Sequence, residues 1–273
     1  MDENQLVHLF YLLIAVSGHP YKTTLVVDKS HPELGNHFQG DIIMPEGRNA
    51  LLVKEYLWPS GVVPYVFHSN FTEDEKAKVK AGMKGIQEKT CVKFVPHTSE
   101  ADYIEFRKDP QLGCGAMVGR RPGRGFPMAV NYQAPECLQT TGTIQHELLH
   151  VLGLFHEQAR PDRDNYVTVL WDNIIPEFKN NFVKAPDDVA TTYNVPYDYK
   201  SLMHYHNTAY SKNGKNTIVA KNDTSLILGQ VEGPTEGDIK KIRKLYNCIN
   251  AQESTLILPW VFKWLSSKKN VKL

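Results

Sequence analysis

The amino-acid sequence predicts an α+β fold, with a part rich in strands and helices followed by a more irregular part. Three observations support this prediction. Strand-like apolar runs occur between residues 49 and 107, and helical periodicity occurs at 73–89, 143–154 and 235–246. Residues 161–200 are polar, with scattered aromatics and no sustained period. With 273 residues, 41% of them hydrophobic, the chain is long enough for one large domain or two small ones.

Strands are predicted where β-branched and aromatic residues cluster in the first part. The clearest run is Val62–Phe67, which follows apolar stretches interrupted by Pro and Gly. Val92–Val95 and Tyr103–Arg107 have the same character. Short runs of this kind are typical of strands, so we expect a sheet here.

Two helices are predicted from their caps. Thr72 and Glu75 form a capping box, in which a hydroxyl and a carboxylate satisfy the first amides of a helix. Apolar residues then recur at helical spacing, so a helix is expected over Glu73–Lys89. Thr235 is placed to cap a C-terminal helix over residues 235–246.

A third helix is expected over Thr143–Leu154, where apolar residues form a face wide enough to be buried. Gly153 ends or bends this helix, because glycine enters the left-handed region easily. A short helix is expected near Ile174–Phe182. The Arg-rich loop Gly119–Gly125 could be a binding patch, although a solvated loop is the simpler interpretation.

The N-terminus has features of a signal peptide. Leu6–Val16 is an apolar run followed by small residues, and it is too short to span a bilayer. Because Asp2 and Glu3 replace the usual basic start, a buried N-terminal helix or strand is the alternative. We predict that residues 1–18 are a signal peptide and that the protein is secreted, with no stable membrane span.

Residues 19–48 are polar and turn-rich, which predicts a short propeptide rather than a domain. Arg48 closes this segment. A trypsin-like protease that cuts after Arg48 would create a new N-terminus at Asn49. The alternative is an ordinary surface linker.

The composition excludes one class of function and leaves the compartment open. A net charge of +1 lacks the basic excess of a dedicated nucleic-acid binder. The four Cys fit two disulfides in an oxidising compartment, but they also fit four free thiols in the cytosol. Asn70 and Asn222 begin Asn-x-Thr sequons, which are glycosylation candidates in a secreted protein but are common by chance.

The segment that carries chemistry begins with His146 and ends with His156. On a helix, His146 and His150 lie one turn apart on the same face, so both imidazoles can reach one metal ion. Gly153 lets the chain leave the helix and bring His156 to the same ion. Three neutral imidazoles leave one position open, which is typical of a catalytic zinc.

Glu147 lies beside the first histidine and can reach a water on the metal without ligating it. Zinc lowers the pKa of such a water to roughly 7, and Glu147 can take its proton and pass it to a leaving amine. The sequence therefore predicts a hydrolase with one Zn²⁺ per chain. The extension with Gly153 and His156, followed by a turn with Met203, is a metalloprotease signature.

These residues resemble the astacin family of metzincin zinc endopeptidases. The resemblance rests on His146–Glu157, Arg160–Asp164 and Ser201–Tyr205, and it covers roughly residues 49–250 as a catalytic domain. It implies a metzincin-type α+β fold, with an N-terminal mixed twisted sheet with helices, a more irregular C-terminal subdomain and an active-site cleft between them. It also implies that extracellular proteins or peptides are the substrates, bound by strand addition at the sheet edge.

The resemblance assigns roles that the residues alone do not. The zinc ligands would be His146, His150 and His156. Glu147 would be the general base, and Met203 would form the floor beneath the metal. Tyr205 would ligate the zinc at rest and swing away to stabilise the transition-state oxyanion. Glu157 would receive the ammonium of the processed N-terminus at Asn49 in a buried salt bridge.

Two further expectations come from the same resemblance. Phe38–Asp41 is similar to the family's latency motif, so Asp41 would ligate the zinc in the latent form, and Gly40 would allow the close approach. The family's disulfide pattern suggests Cys91–Cys248 and Cys114–Cys137, one of the three pairings that four Cys allow.

The sequence leaves other interpretations open for the C-terminal tail, for two lysines and for the function. Residues 251–273 form a tail that could be an amphipathic surface segment, a partner-binding peptide or an unstructured end. Lys212 and Lys215 could favour acidic substrate side chains, although solvated lysines are the simpler interpretation. The rival functions are a zinc-stabilised binding protein, which the intact Glu147 and Tyr205 oppose, and a secreted zinc hydrolase of a non-peptide amide.

Overall fold

A computed structural model of the chain describes residues 34–43, 54–123, 126–185 and 192–248. The predicted signal peptide, the predicted cut between Arg48 and Asn49, and the tail 251–273 lie outside these residues. Within the described ranges, no helix combines the length and apolar character needed to cross a membrane.

A five-stranded mixed sheet forms the first part of the protein. Its strands are β1 (Val62–Phe67), β2 (Lys93–Pro96), β3 (Ile104–Arg107), β4 (Cys114–Ala116) and β5 (Met128–Tyr132). The order across the sheet is β2-β1-β3-β5-β4. The first four of these run parallel, and β4 pairs antiparallel with β5 at the edge. This is the mixed sheet that the sequence predicts.

The sequence predictions are good for three of these strands and miss two. β1 lies where it is predicted, and β2 and β3 each begin one residue later. β4 and β5 were not predicted. All five residues of β5 are buried, so it shows no alternation of apolar and polar residues. β4 has only three residues, too few for a pattern.

Three α-helices accompany the sheet: α1 (Glu73–Gln87), α2 (Thr141–Val151) and α3 (Glu236–Leu245). Both predicted caps are confirmed, because α1 and α3 each begin with a complete capping box. α2 begins two residues before its predicted start, because the Thr140 hydroxyl accepts the Thr143 N–H at 3.0 Å. It ends before the predicted Leu154.

The second part of the protein is more irregular, as predicted. Its regular elements include a two-stranded sheet of β6 (Val167–Val169) and β7 (Ile218–Ala220), the 3₁₀ helix Pro176–Phe182, and α3. The 3₁₀ helix lies where a short helix was expected. Neither β6 nor β7 was predicted, and both are only three residues long.

Two hydrophobic cores correspond to the two parts. The first includes Ile86, Ile104 and Leu148 and lies between the five-stranded sheet and helices α1 and α2. The second surrounds the two-stranded sheet. Met203 belongs to the first core and Tyr205 to the second, so the turn that carries both residues runs between the two cores.

Both disulfides that the resemblance suggests are present. Cys91 is joined to Cys248, which links the start of β2 to the end of α3 across 157 residues. Cys114 is joined to Cys137, which links β4 to the segment before α2. One bridge therefore joins the first part of the protein to the second, and the other lies within the first part.

Two arginines of the predicted solvated loop are packed into the fold. Arg120 donates to Asp102 at 2.7 Å and to the main chain at Leu57. Arg121 is buried and lies over the Tyr56 ring, 5.0 Å from its centroid. These contacts join the loop to neighbouring segments, so the simpler solvated interpretation is wrong for both residues.

Candidate metal centre

Four buried side chains converge on one point. They are Asp41, His146, His150 and His156, and their ligand atoms all lie within 4.8 Å of one another. His146 and His150 face the same side of α2, with ring centroids 4.9 Å apart. The His156 ring lies 4.8 Å from that of His150. The structure thus gathers the three predicted histidines and the predicted latency aspartate.

The turn that delivers His156 depends on how α2 ends. Gly153 has φ 105°, in the left-handed region that glycine tolerates, and its N–H donates to His150 O at 2.8 Å. Two side chains from distant segments bind the last carbonyls of α2. Trp58 Nε1 donates to Val151 O at 2.9 Å, and the Tyr246 hydroxyl donates to Leu152 O at 3.1 Å. The helix end is therefore satisfied and held in place.

The three imidazoles all have Nδ1 committed to an oxygen acceptor. His146 Nδ1 donates to Leu202 O at 2.9 Å and His150 Nδ1 donates to Leu154 O at 2.7 Å. His156 Nδ1 donates to the side-chain oxygen of Gln39 at 3.1 Å. In a neutral imidazole whose Nδ1 carries the hydrogen, Nε2 presents a lone pair. All three Nε2 lone pairs therefore point inward.

These lone pairs face other hydrogen-bond acceptors instead of donors. His146 Nε2 lies 2.9 Å from Asp41 Oδ2 and 3.3 Å from His156 Nε2. His150 Nε2 lies 3.3 Å from Asp41 Oδ1, and neither atom makes a hydrogen bond. Buried acceptors that face one another need a cation between them. Three imidazoles and one carboxylate are a suitable ligand set for zinc, so the residues fit the metal.

The protonation states of Asp41 and His150 are consistent with a metal site. Burial raises the pKa of Asp41, but the positive charge that the three histidines carry when protonated lowers it by more, so the pKa lies well below its usual range and the group is a carboxylate. Burial lowers the pKa of His150 to about 4, against the opposing effect of Asp41, so this imidazole is neutral at physiological pH. The site therefore combines one anionic group, Asp41, with a neutral imidazole, His150.

Glu147 follows His146 on α2 and is fully buried. Its charge also reaches Tyr132 on β5: burial, and then Glu147, raises the pKa of the Tyr132 hydroxyl, which donates to Ile144 O at 2.7 Å. A buried carboxylate beside a metal centre is suited to accept a proton.

The turn with Met203 is fixed by hydrogen bonds from two directions. Asp238 on α3 accepts the Ser201 hydroxyl at 2.6 Å and the Leu202 N–H at 2.9 Å. On the other side, Glu157 N–H donates to Met203 O at 2.8 Å. Met203 is fully buried. Asp238 also completes the capping box at the start of α3, so one carboxylate serves both the helix start and this turn.

Tyr205 is directed at segment 34–43. Its hydroxyl donates to Gln39 O at 2.6 Å, and its N–H donates to the Gln158 side chain at 3.0 Å. Its carbonyl accepts from His204 Nδ1 at 2.6 Å. Gln39 and His204 lie in the two segments that carry the resemblance, but the sequence assigns neither of them a role, and it does not point to Gln158 at all.

Both ring nitrogens of His204 make hydrogen bonds. Its Nδ1 donates to Tyr205 O, and its Nε2 accepts the Tyr197 hydroxyl at 2.8 Å. Burial lowers the pKa of His204 to about 4, so the ring is neutral. The side chain therefore supports the position of Tyr205.

Segment 34–43 crosses the centre and pairs with the sheet edge. Ile43 N–H donates to Ala116 O at 2.9 Å, and Ala116 N–H donates to Asp41 O at 3.0 Å. Ile42 and Ala116 form a parallel bridge, so β4 is extended by a strand from this segment. A Cβ on Gly115 would lie 2.6 Å from Asp41 O, so a glycine is needed for this approach. Gly40, at φ 96°, allows the turn into Asp41.

Glu157 is already paired within the chain. Its Oε1 accepts from Arg160 and from the Asp198 N–H, both at 2.9 Å, and its Oε2 contacts the Lys241 ammonium. Glu157 is 2% exposed and Lys241 is 5% exposed. Lys241, on α3, is a partner that sequence reasoning did not identify. Asn49 lies outside the described residues.

The remaining predicted residues are on the surface. Asn70 and Asn222 are exposed, as a glycosylation site requires. Lys212 and Lys215 are also exposed.

A comparison with protein families matches residues 51–247 to Astacin, which is described as a peptidase family. The chain is 40% identical over 201 residues to zinc metalloproteinase nas-14 of Caenorhabditis elegans, a match that covers 73% of this chain and 39% of that protein. It is 39% identical over 219 residues to low choriolytic enzyme of Oryzias latipes, which covers 77% of this chain and 78% of that enzyme. The chain therefore spans less than half of one relative and most of the other.

A solved structure is similar as well. It is high choriolytic enzyme 1, a hatching-enzyme zinc protease from Oryzias latipes, with a TM-score of 0.67 and 36% identity. The match covers 74% of this chain and all of that one. Sequence and fold thus agree over the same region.

Proposed function

Because the chain belongs to the astacin family of zinc metalloendopeptidases, we propose that it hydrolyses peptide bonds in extracellular proteins and is made as a latent precursor. The observation that carries the proposal is the convergence of three imidazole Nε2 lone pairs and the Asp41 carboxylate.

In this proposal three histidines hold one zinc ion: His146, His150 and His156. Zinc held there lowers the pKa of a water to roughly 7 and polarises a carbonyl. Glu147 accepts the proton of the attacking water and returns it to the leaving amine. Its burial beside His146 supports this role, because a desolvated carboxylate is a stronger base than a solvated one.

Tyr205 is proposed as the donor to the oxyanion. In the described form its hydroxyl donates to Gln39 O, and Gln39 precedes Gly40 and the ligand Asp41. Removal of segment 34–43 would free this donor for a substrate carbonyl. One donor of this kind is worth about 10²- to 10³-fold in kcat. Met203 is proposed as the buried floor of the site.

Latency is proposed to reside in Asp41. Its carboxylate lies 3.3 Å from His156 Nε2, where it would ligate the zinc in place of the attacking water, and segment 34–43 pairs with the edge strand β4. A trypsin-like protease that cuts after Arg48 would release the segment. The ammonium created at Asn49 is proposed to reach Glu157. Since Lys241 and Arg160 already contact Glu157, it would join or displace an existing cation rather than fill an empty place.

Secretion is proposed from three features: the apolar run in residues 1–18, the two disulfides, and the exposed positions of Asn70 and Asn222. Disulfides persist in oxidising compartments.

The proposal is tested with the secreted full chain before and after limited trypsin, on casein, with N-terminal sequencing and metal analysis. We expect no hydrolysis before the cut, hydrolysis once Asn49 is the N-terminus, and loss of activity with a chelator. Glu147→Gln should retain one zinc and lose activity. A correctly cut, zinc-loaded wild type that hydrolyses no peptide bond would falsify the protease proposal.

Latency has its own test. Asp41→Ala should give measurable hydrolysis without trypsin, whereas Asn36→Ala, at an exposed position in the same segment, should stay latent. An uncut Asp41→Ala chain that binds zinc and stays inactive argues against Asp41 as the inhibitory ligand.

A further inference from the structure

The three predicted zinc ligands differ in the origin of their outer partner, the group that accepts the Nδ1 hydrogen of the ring. His146 and His150 donate to main-chain carbonyls that lie far from segment 34–43 along the chain. His156 donates instead to Oε1 of Gln39, which belongs to that segment. Of these three described rings, only that of His156 has its outer partner in the segment that the proposed activation removes.

The Gln39 amide is buried against His156 in a defined orientation. Gln39 is 0% exposed and His156 is 1% exposed, and the hydrogen bond between Nδ1 and Oε1 measures 3.1 Å. On its other side, Gln39 Nε2 lies 3.5 Å from Val183 O, so the amide nitrogen has an acceptor of its own. Because the nitrogen of the amide faces a carbonyl, its oxygen faces the ring and accepts from it.

A tight turn directs Gln39 toward the ring. His37 and Gly40 exchange two main-chain hydrogen bonds, at 3.1 and 3.0 Å, and Gln39 lies between them with φ 49°. This left-handed conformation is uncommon for a residue with a side chain, so the contacts around the turn must hold it. One of them is the His37 ring, which donates from Nε2 to Leu112 O at 2.8 Å. The main chain of the segment therefore sets the position of Gln39.

Gln39 also connects His156 to Tyr205. Its main-chain carbonyl accepts the Tyr205 hydroxyl at 2.6 Å, while its side chain accepts from His156. The His156 and Tyr205 rings lie 5.3 Å apart. A side-chain substitution at Gln39 removes the bond to the predicted zinc ligand and leaves the carbonyl that Tyr205 uses.

We propose that Gln39 is a positioning residue for the metal. Its side chain fixes the tautomer and orientation of His156 in the latent form, so segment 34–43 strengthens zinc binding through this hydrogen bond as well as through Asp41. An Nδ1–H that donates to a fixed oxygen keeps the Nε2 lone pair directed at the metal and makes the ring a stronger ligand. The inference rests on the proposed latency and adds zinc retention to it: the cut enzyme binds zinc less tightly than its precursor.

Three variants isolate this hydrogen bond. Gln39→Met keeps the length of the side chain and removes the acceptor, whereas Gln39→Glu keeps an acceptor in the same place. Asn36→Ala is the matched control, because Asn36 is exposed in the same segment. Loss of the outer partner of a metal ligand weakens metal binding by about ten- to a hundredfold.

The first experiment measures the dissociation constant for zinc by competition with a chelator, so it needs no activity. It compares the uncut full chain with trypsin-cut protein from which the segment has been removed. When uncut, Gln39→Met should bind zinc about ten- to a hundredfold more weakly than wild type. Once cut, the two proteins should bind zinc equally, because the substituted residue has left. Gln39→Glu should restore most of the lost affinity, and Asn36→Ala should bind zinc as wild type does.

Equal zinc binding by uncut wild type and uncut Gln39→Met would overturn the role of Gln39, and a weakened Asp41→Ala would then leave the proposed latency in place. Equal weakening by Gln39→Met and Gln39→Glu would overturn the hydrogen bond as the cause. A cut wild type that hydrolyses no peptide contradicts the proposed peptidase function, and the zinc measurements on the uncut chain still decide the role of Gln39.

The second experiment observes the Nδ1 hydrogens directly, by NMR of zinc-loaded, uncut protein labelled with ¹⁵N in its histidines. A ring hydrogen that is buried in a hydrogen bond exchanges slowly with water and gives a signal. We expect Gln39→Met to lose the His156 signal and to keep those of His146 and His150, which also shows that the variant is folded. Persistence of all three signals in Gln39→Met would overturn the inference.

Discussion

The Glu157 carboxylate lies in the interior between two cations, Arg160 and Lys241. All three residues are at most 6% exposed. Removal of one partner from a buried ion pair leaves the other charge without compensation, and this costs more than the pair itself contributes. The fold therefore depends on this carboxylate once the two cations are buried beside it, before any cut is made at residue 49.

We predict that Glu157→Gln lowers the free energy of unfolding of the precursor by about 3 kcal/mol, because Lys241 loses its closest anion. Urea unfolding measures the change. The matched control is Glu236→Gln: Glu236 contacts Arg243 at 3.0 Å but is 75% exposed, so we expect less than about 1 kcal/mol. Equal losses in the two variants would show that burial of the Glu157 pair has no consequence.

Helix α2 positions two of the ligands, and its single glycine, Gly142, determines how closely it can approach the chain beside it. A Cβ on Gly142 would lie 1.9 Å from the main-chain oxygen of Val231. Because the clashing atom belongs to the main chain, no change of side-chain rotamer can relieve the clash. Gly85 on α1 differs, because the nearest atom to its Cβ would be the Gln145 side-chain nitrogen at 2.5 Å, which can move.

We predict that Gly142→Ala destabilises the protein by about 3 kcal/mol or more, although Ala is the better helix former by about 1 kcal/mol. Gly85→Ala should change the stability by less than about 1 kcal/mol, since the propensity gain offsets a small shift of Gln145. Thermal unfolding of both variants measures the difference. Similar melting temperatures would mean that α2 can shift away from Val231.

The start of α1 depends on a carboxylate. Burial raises the pKa of Glu75, but hydrogen bonds from Lys108 and Thr72 lower it by more, so its pKa lies below the usual value. A carboxylate with a depressed folded-state pKa stabilises the protein above its unfolded-state pKa of about 4.3. That stabilisation is lost as the pH falls through the folded-state pKa.

We predict that Glu75→Gln costs about 1 kcal/mol at pH 7 and that this deficit shrinks as the pH falls below about 4, because only the wild type has a carboxylate to lose. Urea unfolding between pH 7 and pH 3 follows the difference. Glu88→Gln, at a 62% exposed position, is the control and should show little deficit at any pH. A Glu75→Gln deficit that does not change with pH would contradict the prediction.

The two disulfides differ in what they hold together. Cys91–Cys248 closes a separation of 157 residues and attaches α3, which carries both Asp238 and Lys241. Cys91 is exposed, whereas Cys114 and Cys137 are each 1% exposed. Thiol attack requires access to a sulfur atom.

We predict that mild reductant opens Cys91–Cys248 first and lowers the melting temperature, since the chain-entropy estimate for such a loop is about 5 kcal/mol. Alkylation followed by mass spectrometry identifies the opened pair. The Cys91→Ser/Cys248→Ser double variant should show no response at the same reductant concentration. Earlier alkylation of Cys114 and Cys137 would refute the assigned order.

Local patterns predicted the parts of the molecule that local forces produce. A capping box and apolar spacing report contacts within one or two helical turns, and they placed α1 and α3 almost to the residue. The spacing of His146, His150, Gly153 and His156 placed a metal centre, because helix geometry alone aligns the first two ligands and a glycine allows the third. The metalloprotease signature and the family resemblance came from the same residues.

Contacts between distant segments could not be read from these patterns. Strands β4 and β5 form because other strands and helices bury them, so they lack the alternation that marks a half-exposed strand. Asp41 reaches His146 across 105 residues, and Lys241 reaches Glu157 across 84. Packing of the two cores against each other decides these pairs, and no property of either residue alone predicts its partner.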